Sequence, residues 1–178
     1  WQDSSGVSLL STDWNPNGGG PFTSNARRIF PRLDCSTVDV HFEPWSIDET
    51  LDKLVEGVVL GGRADVLIID PPWRGLAQHH RPSEGGFIRG DVSARRIRQC
   101  ESLRTIFYMA CGYQAFMADA DRLTGRDPEA SGSNWGPPFR LTILKCYDMF
   151  PMNPSHVEVV GVFVRSTPGF DEAPQFER

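Results

Sequence analysis

The sequence predicts an α/β fold whose sheet is mostly parallel, with an antiparallel pair of strands at one edge. The first observation is an alternating strand pattern at residues 37–42, a helical pattern at 46–60 and an aliphatic run at 65–69, which is the order of a parallel strand–helix–strand unit. The second is a pair of apolar runs, 139–147 and 157–164, that follow each other closely. A short connection between two such runs favours antiparallel pairing.

The length and composition predict one principal domain. The chain has 178 residues, of which 39% are hydrophobic and 11% aromatic, which is enough for one sizeable core. Residues 1–30 contain the breaker cluster Asn15–Pro21, and we expect an extended arm or loop there. The α/β domain is expected over residues 31–168, followed by an unstructured tail over 169–178.

The first helix and the strand after it have recognisable ends. Ser46 followed by Glu49 forms a capping-box pattern that opens a helix reaching about Leu60, and the glycine pair Gly61-Gly62 is expected to end it. The aliphatic run that follows, residues 65–69, is typical of a central strand covered on both faces.

The second half of the domain alternates helices and strands. The patterns predict a short helix, a third strand and a second helix closed by Gly125, over residues 93–102, 105–110 and 113–123. Residues 74–92 lack periodicity and leave the carboxyl end of the 65–69 strand, which is the end where ligands bind in α/β sheets.

Charge and cysteine content restrict the function classes. The net charge is −5 and the isoelectric point is near 5.3, so any nucleic-acid contact depends on local basic patches or on a partner. The four cysteines form no C-x-x-C pair, and no apolar stretch is long enough for a membrane span. We expect a soluble intracellular protein of the nucleus, the cytoplasm or an organelle matrix. Because the sequence begins with Trp1 rather than methionine, we expect that a leader or a longer N-terminus is missing.

The tetrapeptide Asp70-Pro71-Pro72-Trp73 follows the 65–69 strand directly and carries the predicted chemistry. The Asp70 carboxylate and the Pro71 carbonyl can accept hydrogen bonds from the amine of an adenine, which is a weak nucleophile because its lone pair is delocalised. The prolines Pro71 and Pro72 fix the backbone, and the Trp73 ring can stack on a flipped base. The alternative is a structural Pro-Pro turn with a tryptophan that packs in the core.

This motif resembles that of the MT-A seventy-like (MT-A type) family of adenine N-6 methyltransferases, where Asp-Pro-Pro-Trp also follows an apolar strand. Weaker similarity, shared by many α/β proteins, covers residues 33–168. The resemblance implies a Rossmann-like methyltransferase sheet and S-adenosylmethionine as cofactor, with Asp70, Asn153 and His156 as candidate cofactor-binding residues. It also implies pairing with a homologous or other protein subunit.

The chain departs from the family pattern in two places. Family members place His after Glu in the loop before the last strand, whereas here His156 is followed by Val157. The family also has a cofactor-binding strand ending in Phe-Gly near its C-terminus, and the chain stops at Arg178 before any such segment. We therefore expect a sheet that is incomplete at the C-terminus, as in a truncated or degenerate member.

A basic stretch follows the motif. Residues 74–104 contain seven arginines and three acidic residues, which gives a local charge of +4 in an acidic chain. The candidate contacts to nucleic-acid phosphates are Arg74, Arg81, Arg89, Arg95, Arg96 and Arg98. The alternative is a solvated helix face, or a face that docks on a partner protein. The pair His79-His80 has no completing ligand set, and no metal is expected.

Three function hypotheses follow. The first is an S-adenosylmethionine-dependent methyltransferase of the adenine amino group in nucleic acid, with RNA favoured over DNA. The second is a catalytically inactive methyltransferase-fold subunit that acts as a scaffold in a larger protein or ribonucleoprotein complex. The third is an unrelated nucleotide-binding α/β protein, since a fold does not fix a function.

Overall fold

The structure is a computed structural model that describes residues 6–12, 16–29, 37–71, 75–78, 90–149 and 157–165. The chain divides into two compact units, Trp1–Gly62 and Arg63–Arg178. Each unit has its own sheet. No helix within the described ranges has the length and apolar character needed to cross a bilayer.

The first unit is built on two parallel strands. Strand β1 (Gly6–Thr12) pairs with β2 (Thr37–Glu43), and helix α1 (Gly19–Ile29) lies between them in sequence. Parallel neighbours need a crossover connection, and α1 lies within it. The expectation of an arm or loop over residues 1–30 is therefore wrong for β1 and α1. The glycines and Pro21 that suggested a loop lie in the first turn of α1, where proline is tolerated because the N–H groups there have no helical partner.

Helix α2 (Ile47–Val55) completes the first unit. The Ser46 hydroxyl accepts a hydrogen bond from the Glu49 N–H at 3.2 Å, which confirms the predicted N-terminal cap. The helix ends earlier than expected. Gly57, at φ +76°, donates its N–H to the Leu54 carbonyl, so this glycine rather than Gly61-Gly62 accompanies the end of the helix.

The second unit contains a four-stranded mixed sheet. Its strands are ordered β3-β4-β6-β5, with β3 parallel to β4 and the other neighbours antiparallel. Helix α3 lies between β3 and β4 in sequence, and α4 follows β4. The bounds are β3 Val66–Ile69, α3 Gly90–Gln99, β4 Thr105–Ala110, α4 Tyr113–Thr124, β5 Phe139–Tyr147 and β6 Glu158–Arg165. The predicted α/β class and the antiparallel edge pair are confirmed, whereas one of the three strand pairings in this sheet is parallel, fewer than a mostly parallel sheet requires.

Strand β3 differs from the prediction of a central strand covered on both faces. Its partner in the described sheet is β4, because β2 pairs with β1 instead. Ile69 is buried, whereas Ile68 on the opposite face is 64% exposed. The aliphatic run therefore indicates strand propensity and one buried face, whereas the side chains on the other face of β3 are exposed.

Aromatic packing holds α4 against one face of this sheet. The rings of Tyr108, Phe116 and Phe163 lie 5.4 to 6.4 Å apart between centroids and are fully buried. Gly161 makes the approach of α4 possible, since a Cβ at that position would lie 2.6 Å from the Phe116 ring. This packing fixes the start of α4 beside the carboxyl ends of β3 and β4.

Candidate active site

The predicted motif begins at the carboxyl end of β3. Asp70 follows the last residue of the strand and is exposed, while Pro71 is buried. The remaining two motif residues, Pro72 and Trp73, lie outside the described residues. The structure therefore places an open carboxylate on a backbone whose next residue is held by packing.

Two residues that the sequence analysis missed lie close to Asp70. Cys111 follows β4, and Glu158 begins β6; because Ala110 pairs with Val159, these two residues reach the same end of the sheet. The Cys111 thiol donates a hydrogen bond to the Glu158 carboxylate, and both residues interact electrostatically with Asp70. Three strand ends thus contribute side chains to one small region.

The electrostatics of this region favour a cationic or hydrogen-bond-donating ligand. Partial desolvation is the larger cause of the raised pKa of Asp70, and the negative charge of Glu158 is the smaller one. The hydrogen bond to Glu158, then desolvation and the two nearby carboxylates, raise the pKa of Cys111. Cys111 is therefore a neutral thiol at pH 7 and not an activated nucleophile. Two carboxylates that repel each other are stabilised by a positive charge or by N–H donors placed between them.

Replacing Glu158 with glutamine should lower the pKa of Asp70. The charge of Glu158 is the second cause of the upward shift, so its removal should leave the pKa of Asp70 above 3.8, where desolvation alone still holds it. Carboxyl chemical shifts of Asp70 followed by NMR over pH 3–7 measure the change. An unchanged midpoint would show that the two carboxylates do not interact.

The residues present fit S-adenosylmethionine in their chemistry. This cofactor carries a positive sulfonium and ammonium together with an adenine amine, and Asp70 and Glu158 are acceptors suited to all three. Its carboxylate is suited to N–H donors, and α4 begins beside this region at Gly112 without a side-chain cap. The other two predicted cofactor residues, Asn153 and His156, lie outside the described residues. Within the described part of the chain, no three His, Cys, Asp or Glu side chains are placed to hold a metal ion.

Arg98 does not fit the predicted role of contacting phosphate. Its side chain is buried, and its guanidinium donates to the carbonyls of Gly136, Arg122 and Ala130 at 2.7 to 3.2 Å. Desolvation lowers its pKa. Arg98 therefore joins α3 to the backbone that follows α4, and we correct its predicted role to a structural one.

Two of the other five predicted phosphate contacts lie within the described residues. Arg95 and Arg96 lie on α3 and are partly exposed. Arg74, Arg81 and Arg89 lie outside the described residues. A contact between these arginines and nucleic acid remains a prediction.

Comparison with known proteins gives little further information. No family model and no curated protein matches the chain. A solved structure titled "delta-N METTL16 MTase domain" is similar with a TM-score of 0.41 and 13% sequence identity. The similarity covers 87% of this chain and 61% of that one, so the chain spans less than two thirds of the neighbour. At this level the similarity carries no argument about function, and membership of the MT-A seventy-like family stays a prediction.

Proposed function

We propose that this chain is an S-adenosylmethionine-dependent methyltransferase domain that acts on the amino group of adenine in nucleic acid, with RNA as the expected target. The observation that carries the proposal is the open Asp70 carboxylate at the carboxyl end of β3, beside Glu158 and the start of α4. This is the edge of an α/β sheet where ligands bind.

Asp70 and Pro71 have the principal roles in this proposal. The Asp70 carboxylate and the Pro71 carbonyl accept the two N–H groups of the adenine amine, which draws the nitrogen toward a tetrahedral geometry and makes its lone pair available. Trp73 stacks on the base, a contact worth about 1–3 kcal/mol. When bound, S-adenosylmethionine supplies an electrophilic methyl group.

The proposed nucleic-acid surface uses arginines that follow the motif in the sequence. Arg95 and Arg96 on α3, with Arg74, Arg81 and Arg89 before that helix, form the candidate phosphate contacts, and Arg98 is left out. The chain is acidic as a whole, with a net charge of −5, so a homologous or other protein subunit is expected to supply further basic surface.

A second function is favoured by the open face of the second sheet. Ile68 lies beside Phe107, and both Phe107 and Ile143 pair with Val162, so these side chains form a row across four strands. Ile68, Phe107 and Ile143 are 64, 40 and 46% exposed. Exposed apolar rows of this kind mark protein interaction sites. This row supports the alternative of a catalytically inactive scaffold subunit that binds a partner protein.

Calorimetry with S-adenosylmethionine separates the two functions. We expect the methyltransferase to bind with a Kd in the micromolar range, equivalent to about −8 kcal/mol, and the scaffold to give no heat of binding. Transfer of a tritiated methyl group to single-stranded RNA and DNA oligonucleotides, each with and without adenine, then identifies the acceptor. Transfer to oligonucleotides that lack adenine would contradict the proposed substrate.

A further inference from the structure

A buried carboxylate on α4 holds the backbone that follows the motif. Asp119 is 1% exposed, and its Oδ2 atom accepts hydrogen bonds from the Leu76 N–H at 2.8 Å and from the Tyr108 hydroxyl at 2.5 Å. Its Oδ1 atom accepts a hydrogen bond from Arg122 at 3.2 Å. Neither Asp119 nor Tyr108 was singled out from the sequence, because the contact of Asp119 with Leu76 joins segments that are distant in the chain.

Burying the Asp119 carboxylate costs free energy of folding, so stability by itself does not explain this residue. Desolvation raises the pKa of Asp119, and its hydrogen bonds with Tyr108 and Leu76 and the charge of Arg122 oppose this shift only in part. Tyr108 is likewise desolvated beside a negative charge, which raises its pKa. Apolar residues often stabilise such buried sites as well as charged ones do. A buried carboxylate here therefore suggests a requirement for a particular backbone position.

The backbone at Gly75 is fitted closely to this carboxylate. Gly75 has φ +78°, and a Cβ at this residue would overlap Asp119 Oδ2 and lie 3.3 Å from the Ala115 side chain. Only glycine satisfies both the positive φ and the lack of space. The Leu76 side chain is fully buried, so the segment is fixed by packing as well as by its hydrogen bond.

Two described residues, Pro71 and Gly75, lie on either side of Pro72 and Trp73 in the sequence. Pro71 is buried at the end of β3, Gly75 is held against α4, and Trp73 is two residues from each. Four Cα–Cα steps reach at most about 14 Å, so Gly75 lies within that distance of Pro71. Reacting groups are sensitive to small shifts, since a displacement of about 1 Å can reduce a rate about a hundred-fold.

We propose that Asp119 is a positioning residue of the candidate active site, because it holds the Leu76 N–H and the backbone of Gly75 close in sequence to Asp70 and Pro71. The inference rests on the proposed function, because it assigns Asp119 a role in that reaction. Asp119 does not touch the reacting atoms. It acts through the segment Gly75–Gln78, which lies close in sequence to Pro71.

Two substitutions at Asp119 test this role in the full chain. Asp119→Ala removes the acceptor of two hydrogen bonds, one from the Leu76 N–H and one from the Tyr108 hydroxyl. Asp119→Asn keeps an oxygen that can accept both, because the two donors share one oxygen atom. Arg165→Lys, at a buried residue whose hydrogen bonds go to backbone carbonyls at the end of α3 and beyond it, serves as the control for a general loss of stability.

We expect Asp119→Ala to speed hydrogen exchange of the Leu76 amide at least about ten-fold and to lower the turnover of methyl transfer about 10- to 100-fold, with the Kd for S-adenosylmethionine unchanged. Asp119→Asn should restore most of the protection of the Leu76 amide and most of the turnover. Arg165→Lys should change neither the Leu76 exchange rate nor the turnover at temperatures where it is folded. All rates are compared at equal fractions of folded protein.

Two results would overturn the inference. One is an unchanged Leu76 exchange rate in Asp119→Ala, and the other is a turnover equal to that of the control. If the unsubstituted chain neither binds S-adenosylmethionine nor transfers methyl groups, the proposed function fails and the positioning role fails with it. The Leu76 exchange rate then still shows whether Asp119 anchors the segment, so the two failures are distinguishable.

Discussion

Replacing Asp70 with alanine should reduce methyl transfer by about 100- to 1,000-fold, the range measured when a single preorganised hydrogen-bonding group is removed from an active site. The adenine amine reacts only when its lone pair is released from the ring, and the Asp70 carboxylate is the acceptor placed to assist this. The effect should appear in kcat more than in KM, because the interaction strengthens as the nitrogen changes geometry. Single-turnover transfer of a tritiated methyl group measures it.

The same substitution should leave the fold intact. The pKa of Asp70 is raised in the folded state, so the folded chain binds this proton more tightly than the unfolded chain does. The contribution of this group to stability is therefore present at low pH and is lost as the pH rises through the raised pKa. Above the raised pKa the ionised carboxylate contributes no favourable term, and there we expect the urea midpoint of Asp70→Ala to equal or exceed that of the unsubstituted chain.

Two further variants make the result specific. Asp70→Asn keeps an acceptor oxygen without the charge and should retain intermediate activity. Asp65→Asn removes an exposed carboxylate just before the opposite end of β3 and should leave transfer unchanged. If Asp70→Ala retained full transfer, the proposed role of this carboxylate would be eliminated.

Local patterns were sufficient for much of the second unit. The strands β4 and β5 have the predicted bounds, because each is a run of β-branched, aromatic and aliphatic residues between Gly, Pro or polar segments. Strand β1 was missed because its sequence Gly-Val-Ser-Leu-Leu-Ser-Thr has a weak pattern. Its pairing with β2 is a non-local contact that no local pattern reports.

The candidate site shows the same division between local and non-local information. Asp70 was found because its motif follows a strand directly. Glu158 could be found only from the antiparallel register that brings the start of β6 to the end of β4. The misassigned Arg98 did have a local signal, since it lies on α3 four residues after the buried Ala94. That spacing predicts a residue on the core face rather than on a phosphate-binding surface.

A large loss of stability is expected from Arg165→Met. Arg165, the last residue of β6, is buried, and its guanidinium uses all three nitrogens to donate to backbone carbonyls. The acceptors are the carbonyls of Ile97, Arg98, Cys100, Leu103 and Pro137, at 2.6 to 3.5 Å. Methionine fills a similar volume but has no donor. The carbonyls would lose these partners in a buried site, and we expect the free energy of unfolding to fall by about 3–5 kcal/mol in urea titrations.

This loss of stability comes from the hydrogen bonds to carbonyls at the end of α3 rather than from the loss of an ion pair. Desolvation is the main factor that lowers the pKa of Arg165, yet an arginine keeps its charge in proteins, and here the carbonyls at the negative end of the α3 dipole stabilise it. The Phe139 ring, 4.0 Å from the guanidinium carbon, adds a cation–π contact.

Arg165→Lys and an exposed arginine distinguish this account from a simple effect of charge. Lysine keeps the charge with three donors in place of five, so Arg165→Lys should recover about half of the loss. Arg126→Met removes the same charge from an exposed position and should cost less than about 0.5 kcal/mol. If Arg165→Lys were as stable as the unsubstituted chain, charge alone would account for the effect. If instead Arg165→Met cost no more than Arg126→Met, the carbonyls around Arg165 would have to find other partners, and this residue would not hold α3 to β6.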